Sequence, residues 1–185
     1  MFVSQPFITP PATYETPLQE KVYQALSAMD IPYVRVDTDP AVTMEQCDIV
    51  DTHLHTRMVK TLLVCNRQQT AFYLFVTTGH KPFSTKDFGY TLGISRVSFA
   101  NAAQLQRLMG TERGAATLWS VLLESSADVK IIIDRDVLKE AWYACSDGTT
   151  TGYMKVPTAA LMEKLPAYTG RRFQMVEVLT APTTV

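Results

Sequence analysis

The run Val129-Lys130-Ile131-Ile132-Ile133-Asp134 constrains the fold of this chain more than any other stretch. Its three consecutive isoleucines are β-branched, which suits a pleated strand better than a helix. They show no alternation of apolar with polar residues, so both faces of the strand must be covered. A strand of that kind belongs in the middle of a sheet.

The elements around it follow from spacing. Leu18, Val22, Leu26 and Met29 recur at helical intervals after Pro17 and predict an amphipathic helix. Tyr33-Val34-Arg35-Val36-Asp37 alternates and predicts a strand. Thr43-Met44-Glu45-Gln46 has the form of a capping box opening a second helix. Two apolar runs at 61–65 and 71–76, joined by the polar stretch 66–70, predict a β-hairpin. A short helix at 85–92 ending at Gly93, a short strand at 96–99 and a helix at 102–109 stopped by Gly110 come next. Residues 137–143 fit a helix or a strand equally well. A turn at Asp147-Gly148, a strand near 153–156, a helix at 158–165 and a last strand at 173–178 complete the series.

Helices and strands alternate irregularly, a hairpin is present, and no repeat or linker interrupts them. The expected fold is a single α/β domain with a mixed, curved β-sheet flanked by helices. Residues 1–16, with Pro6, Pro10 and Pro11, read as a loosely ordered arm ahead of a domain over 17–180.

Composition narrows the function classes. With 46% hydrophobic and 19% charged residues the chain is neither disordered nor fibrous. No run approaches the roughly 20 apolar residues needed to cross a bilayer. The N-terminus lacks the basic start and apolar core of a secretory signal, so a cytoplasmic location is expected. The three cysteines, Cys47, Cys65 and Cys145, are widely separated and form neither a C-x-x-C pair nor a disulfide framework. The formal net charge of −1 gives no global field to gather nucleic acid, so RNA contact has to rest on a local basic patch.

No G-x-S-x-G elbow, P-loop or dinucleotide fingerprint occurs. Asp51, His53 and His55 lie two apart, so an extended segment would put a two-histidine, one-carboxylate set on one face. Three ligands so close on one strand rarely converge on one ion, so neither a metal nor another cofactor is expected. His80 stands alone in a loop. Cys145, beside a turn with no cationic neighbour in sequence, reads as an inert thiol.

Several stretches in order carry a resemblance. They are Val59-Lys60-Thr61-Leu62-Leu63-Val64, Thr85-Lys86-Asp87, the run from Leu92-Gly93 to Phe99-Ala100, and Gly110-Thr111-Glu112-Arg113-Gly114. The match ends on Thr149-Thr150-Thr151 and Thr158-Ala159-Ala160-Leu161. Over about residues 17–178 the chain resembles the YbaK-like family, which edits mischarged tRNA within or alongside prolyl-tRNA synthetase. The resemblance implies an aminoacyl-tRNA deacylase acting on the acceptor end of tRNA, with a tRNA synthetase as a further partner and no membrane. It implies that Lys60 sits in the substrate pocket and that the loop at Gly114 supplies backbone donors. Lys86 and Arg96 are candidates for backbone phosphates.

The chain also departs from the family. A G-x-x-x-P loop usually lines the amino-acid pocket, and here Leu118 stands where the proline would be, a candidate to narrow that pocket beside Trp119. Leu118, Trp119, Val121 and Leu122 equally fit a core segment. A His-Pro pair and a later Asn of many relatives are replaced by Ala144-Cys145 and Gly148, which makes Ala144 a candidate pocket residue. These departures keep a second expectation open, a protein on the same scaffold that binds tRNA or the aminoacyl group with impaired catalysis.

Overall fold

In the computed structural model, which describes residues 1–182 apart from the side chain of Met44, the isoleucine run becomes β5 (Lys130–Asp134). It lies parallel to β3 (Phe72–Thr78) on one side and to β8 (Phe173–Val176) on the other. β3 makes the expected antiparallel hairpin with β2 (Val59–Cys65), and the short β4 (Ser98–Phe99) pairs with the end of β2. The sheet has the order β4-β2-β3-β5-β8.

The isoleucines divide between its two faces. Ile131 and Ile133 share a buried cluster with Val22 and Leu26 of α1 (Pro17–Ala28) and with Leu161 and Leu165 of α5 (Thr158–Thr169). Ile132 joins Val64, Phe75 and Phe88 on the opposite face, the last from α3 (Thr85–Leu92). Burying such a side chain contributes roughly 1.5–3 kcal/mol, which is why both faces of β5 are apolar.

A second, antiparallel sheet holds β1 (Val34–Asp37), β7 (Gly152–Pro157) and β6 (Trp142–Ser146) in the order β1-β7-β6. Helix α2 (Met44–Leu54) covers it, with Val50 and Leu54 packed in one cluster with Val36, Ala144 and Tyr153. The mixed sheet anticipated from the alternation is the five-stranded one, which combines antiparallel with parallel pairs, while this second sheet is antiparallel throughout. The two meet at a single parallel bridge between Met58 and Ala144.

Local chemistry sets the element ends. The Thr43–Gln46 capping box opens α2 as expected, and Asn101 with Gln104 forms another at α4 (Ala102–Met109). α3 and α4 stop at Gly93 and Gly110. The ambiguous stretch after β5 resolves into a 3-10 turn at Arg135–Lys139 followed by β6. α5 runs one turn past Leu165 despite the helical hydrogen bond that Pro166 cannot make, and ends at Gly170 in the left-handed conformation.

Residues 1–16, the arm of the sequence reading, are held against β1 at two points: Val3 bridges Thr38, and Phe7 bridges Arg35. Arg35 is buried, with its guanidinium 4.8 Å from the Phe7 ring centroid and its Nε donating to the Thr9 carbonyl at 2.6 Å. No helix among the described residues is long and apolar enough to cross a membrane.

Candidate active site in the cleft between the sheets

Beside the bridge of Met58 to Ala144 lies a cleft of about 140 Å³, with Met58 in its wall. β4 reaches only Val64 and Cys65 of β2, so residues 59–61 have no strand on their outer side and border this cleft. Gly79 and His80 enter from the turn after β3, and Gly114 and Ala116 from the loop after α4. Helix α2 contributes Cys47, Asp48 and Asp51, while Cys145, Ser146 and Tyr153 come from β6 and β7 of the smaller sheet.

Lys60 carries the positive charge of the cleft. Its Nζ donates to the Lys81 carbonyl at 2.7 Å, and among the described residues it makes no ion pair. Burial pushes its pKa down. Its partner is well anchored. The Lys81 ammonium sits 2.8 Å from the buried Asp134 carboxylate and 2.7 Å from Asp136, and Thr77, the residue paired with Lys60 across the hairpin, donates to Asp134 at 2.7 Å. An ammonium fixed by a neutral carbonyl keeps its charge for an anion that enters.

Gly114 faces the cleft with φ at +93°, in the left-handed region that side chains disfavour. A Cβ there would meet Val42 Cγ1 at 2.9 Å and Val42 Cα at 3.2 Å. The loop therefore needs glycine to lie where it does, and glycine lets its backbone approach a ligand.

The negative pole lies on α2. Asp51 is half-buried, and its Oδ1 accepts from the Met58 backbone N–H at 2.8 Å. Burial pushes its carboxyl pKa up, with Asp48 adding to the rise while the Met58 N–H, His80 and Arg57 oppose it. The two thiols are poor nucleophiles: burial pushes Cys145 up to about 12, and burial with Asp51 and Asp48 raises Cys47. Cys145 is inert for this physical reason.

Of the residues singled out from sequence, Lys60 and Gly114 come together in the cleft. Ala144 lies beneath it, fully buried at the bridge, and its neighbour Cys145 reaches the wall. Lys86 and Arg96 do not border the cleft. Both are exposed, Lys86 donating to the Pro182 carbonyl at 2.8 Å and Arg96 to Thr85 Oγ1 at 3.0 Å. Leu118 is 1% exposed and opens a 3-10 turn, Leu118–Leu122, in the main core with Trp119 and Val121. The chain has turned inward by that point, so Leu118 fills core and does not border the cleft.

The extended reading of Asp51, His53 and His55 is corrected. Asp51 and His53 lie on α2, and His55 caps it with φ at +52°. Helical geometry turns two residues apart to different sides, so Asp51 borders the cleft while exposed His53 contacts the Ile49 carbonyl of its own helix at 2.9 Å. Among the described residues no three His, Cys, Asp or Glu side chains converge as metal ligands. Sequence reading missed Asp51 and Cys47 as cleft residues. Their i, i+4 spacing behind the Thr43 cap was the available signal.

Beside the cleft runs a groove that shares Met58, Val59, Gly79 and His80 with it and is walled by Arg57, Lys139 and Trp142. The Trp142 ring is partly exposed and has the Lys155 ammonium 4.9 Å from its centroid.

Comparison with known proteins gives this geometry a family. The sequence pattern of the aminoacyl-tRNA editing domain matches residues 38–164. The prolyl-tRNA editing protein ProX of Acetoanaerobium sticklandii is 23% identical over 162 residues, covering 86% of this chain and 97% of that protein. Among solved structures, a proposed trans-editing enzyme for prolyl tRNA synthetase superposes with a TM-score of 0.63 at 16% identity, covering 89% of this chain and 99% of that one. A scaffold protein used for computational grafting of linear epitopes gives 0.65 at 18% identity, covering 90% and 99%. With most of its length matched by that pattern, and with a fold shared along nearly the whole of these structures, the chain belongs to the aminoacyl-tRNA editing domain family.

Proposed function

We propose that this protein is a trans-acting aminoacyl-tRNA deacylase, which hydrolyses the ester of a mischarged tRNA to free amino acid and uncharged tRNA. The observation that carries the reading is the Lys60 ammonium, held by a neutral carbonyl in the same cleft as the Gly114 loop. An aminoacyl ester is already activated, so hydrolysis needs mainly orientation and charge stabilisation, the first contributing roughly 7–11 kcal/mol in well-aligned systems. Water adds to the ester carbonyl, and the oxygen that becomes negative is met by the ammonium and by backbone N–H groups of the Gly114 loop. Collapse breaks the ester C–O bond, the hydroxyl of water stays on the amino acid, and its second proton goes to the ribose oxygen. Neither Cys47 nor Cys145 supplies a nucleophile, because both thiols are held protonated.

A small amino acid on tRNA for proline is the substrate proposed. The name of the Acetoanaerobium relative supports the tRNA. A cavity of about 140 Å³ supports the small side chain, since exclusion by size discriminates where one methylene offers only about 1–3 kcal/mol. The neighbouring groove, with the exposed indole of Trp142 and the Arg57 guanidinium, offers the stacking and charge that single-stranded nucleotides use. Lys86 and Arg96, away from the cleft, serve the tRNA only as outlying phosphate contacts. Residues 17–180 form the editing domain, working in the cytoplasm on the acceptor end and beside a tRNA synthetase.

One observation favours a second reading. Where many relatives carry a His-Pro pair and an Asn, this chain has buried Ala144 and Cys145 and a glycine, Gly148, packed against Leu18. Such a protein would bind the acceptor end without turnover. Ester loss from a panel of charged tRNAs, starting with alanine and cysteine on tRNA for proline, separates the two. Selective hydrolysis of one mischarged species is expected. No hydrolysis across the panel with tRNA still bound would replace the deacylase with a recognition protein.

A further inference from the structure

The cleft contains a charge that the proposed chemistry leaves unused. Asp51 sits half-buried on the α2 wall and forms no ion pair among the described residues. Its Oδ1 is fixed by the Met58 N–H, immediately before the strand that carries Lys60, so the carboxylate has a defined place relative to the ammonium. Asp48, one helical turn earlier, borders the same space, and His80 and Arg57 are the cationic or titratable groups nearby.

A carboxylate is a poor choice for a site that receives a tRNA 3′ end, because like charges brought together oppose binding. The acceptor end carries phosphates throughout. On a tRNA charged with an amino acid of neutral side chain, its one cation is the α-ammonium of that amino acid. Lys60 and Asp51 thus match the two poles of the same substrate: the first suits phosphate or developing oxyanion, the second suits the free amine. We propose that Asp51 is the specificity-determining residue that reads the free α-ammonium of the aminoacyl group, an inference that rests on the aminoacyl-tRNA reading of this cleft. A peptidyl or N-acylated ester, which lacks that charge, binds more weakly because it forgoes the contact with this half-buried carboxylate.

Binding separates this from turnover. The probes are the stable amide 3′-alanylamino-3′-deoxyadenosine and its N-acetyl derivative, with dissociation constants measured for each on the intact protein. The free amine is expected to bind about tenfold or more tighter than the N-acetyl form. Asp51→Asn keeps an acceptor for the Met58 N–H, so the helix end stays in place, and is expected to abolish the preference by weakening only the free amine. Equal binding of the two probes by the wild type, no binding of either, or a preference that survives in Asp51→Asn overturns the inference. Failure of the deacylase reading shows separately, as absence of ester loss in the tRNA panel while this binding preference persists.

Discussion

Replacing Lys60 by alanine is expected to slow single-turnover deacylation by about 10²–10³-fold, the loss typical of removing one preorganised oxyanion donor. The fold should barely respond. The side chain gives up one hydrogen bond to the Lys81 carbonyl, and that carbonyl lies on a turn still pinned by Lys81 to Asp134 and Asp136. A single such bond is worth roughly 0.5–1.5 kcal/mol, so the shift in urea midpoint should be small. Lys60→Arg tests geometry rather than charge. A planar guanidinium cannot occupy the position of a compact ammonium held at 2.7 Å from one carbonyl, so most of the loss should remain. Unchanged hydrolysis in Lys60→Ala would remove this residue from the mechanism.

Gly152→Ala is expected to produce the largest loss of stability. A Cβ on Gly152 would overlap Asp147 Oδ2 and come within 2.6 Å of its Cγ. Asp147 is 1% exposed and has no room to retreat. Its carboxylate accepts from Gln19 Nε2 at 2.9 Å and Tyr23 Oη at 3.0 Å, both on α1, and from Thr149 Oγ1 at 2.8 Å. Moving it breaks bonds that join α1 to the turn after β6, leaving buried polar groups unpaired. Overpacking of this kind costs about 1–3 kcal/mol, and each stranded polar group adds to it. A destabilisation of about 2–4 kcal/mol in urea unfolding is the expected result. The cleft should suffer with it, because Ser146 borders the cleft and hydrogen-bonds through its Oγ to the Thr149 carbonyl at 2.6 Å. An unfolding free energy within about 0.5 kcal/mol of wild type would show that the turn around Asp147 is softer than its hydrogen bonds indicate.

Much of the fold is legible because its signals are local. The isoleucine run, the period of α1, the two-sided hairpin and the glycines after α3 and α4 each specify one element from a short window. Strand partnership is not local. Nothing in residues 142–157 announces that β7 pairs with both β1 and β6 in a sheet of their own, or that Met58 joins the two sheets through Ala144. The same gap hid the site. Lys60 and Gly114 were legible only through resemblance, since a lysine at a strand start and a glycine in a turn are ordinary by themselves. Asp51 was read in a strand period when the capping box already at Thr43 dictated a helical one. Leu118 was weighed as pocket and as core, and its place in the main cluster follows from the inward 3-10 turn, which no periodicity marks. Lys86 and Arg96 illustrate the converse, charges whose type suits phosphate but which do not border the cleft.

The central claim is that the cleft between the two sheets receives the aminoacylated end of tRNA. The most direct measurement is to titrate the protein, labelled for NMR, with 3′-alanylamino-3′-deoxyadenosine and to map the backbone amide shifts. The account predicts perturbations concentrated at Lys60 and Thr61, at Gly114 and Ala116, and at Asp51, with little change at Lys86 and Arg96. Shifts centred elsewhere, such as the separate groove formed by Glu15, Gln106 and Glu112, with residues 59–61 silent, would contradict it.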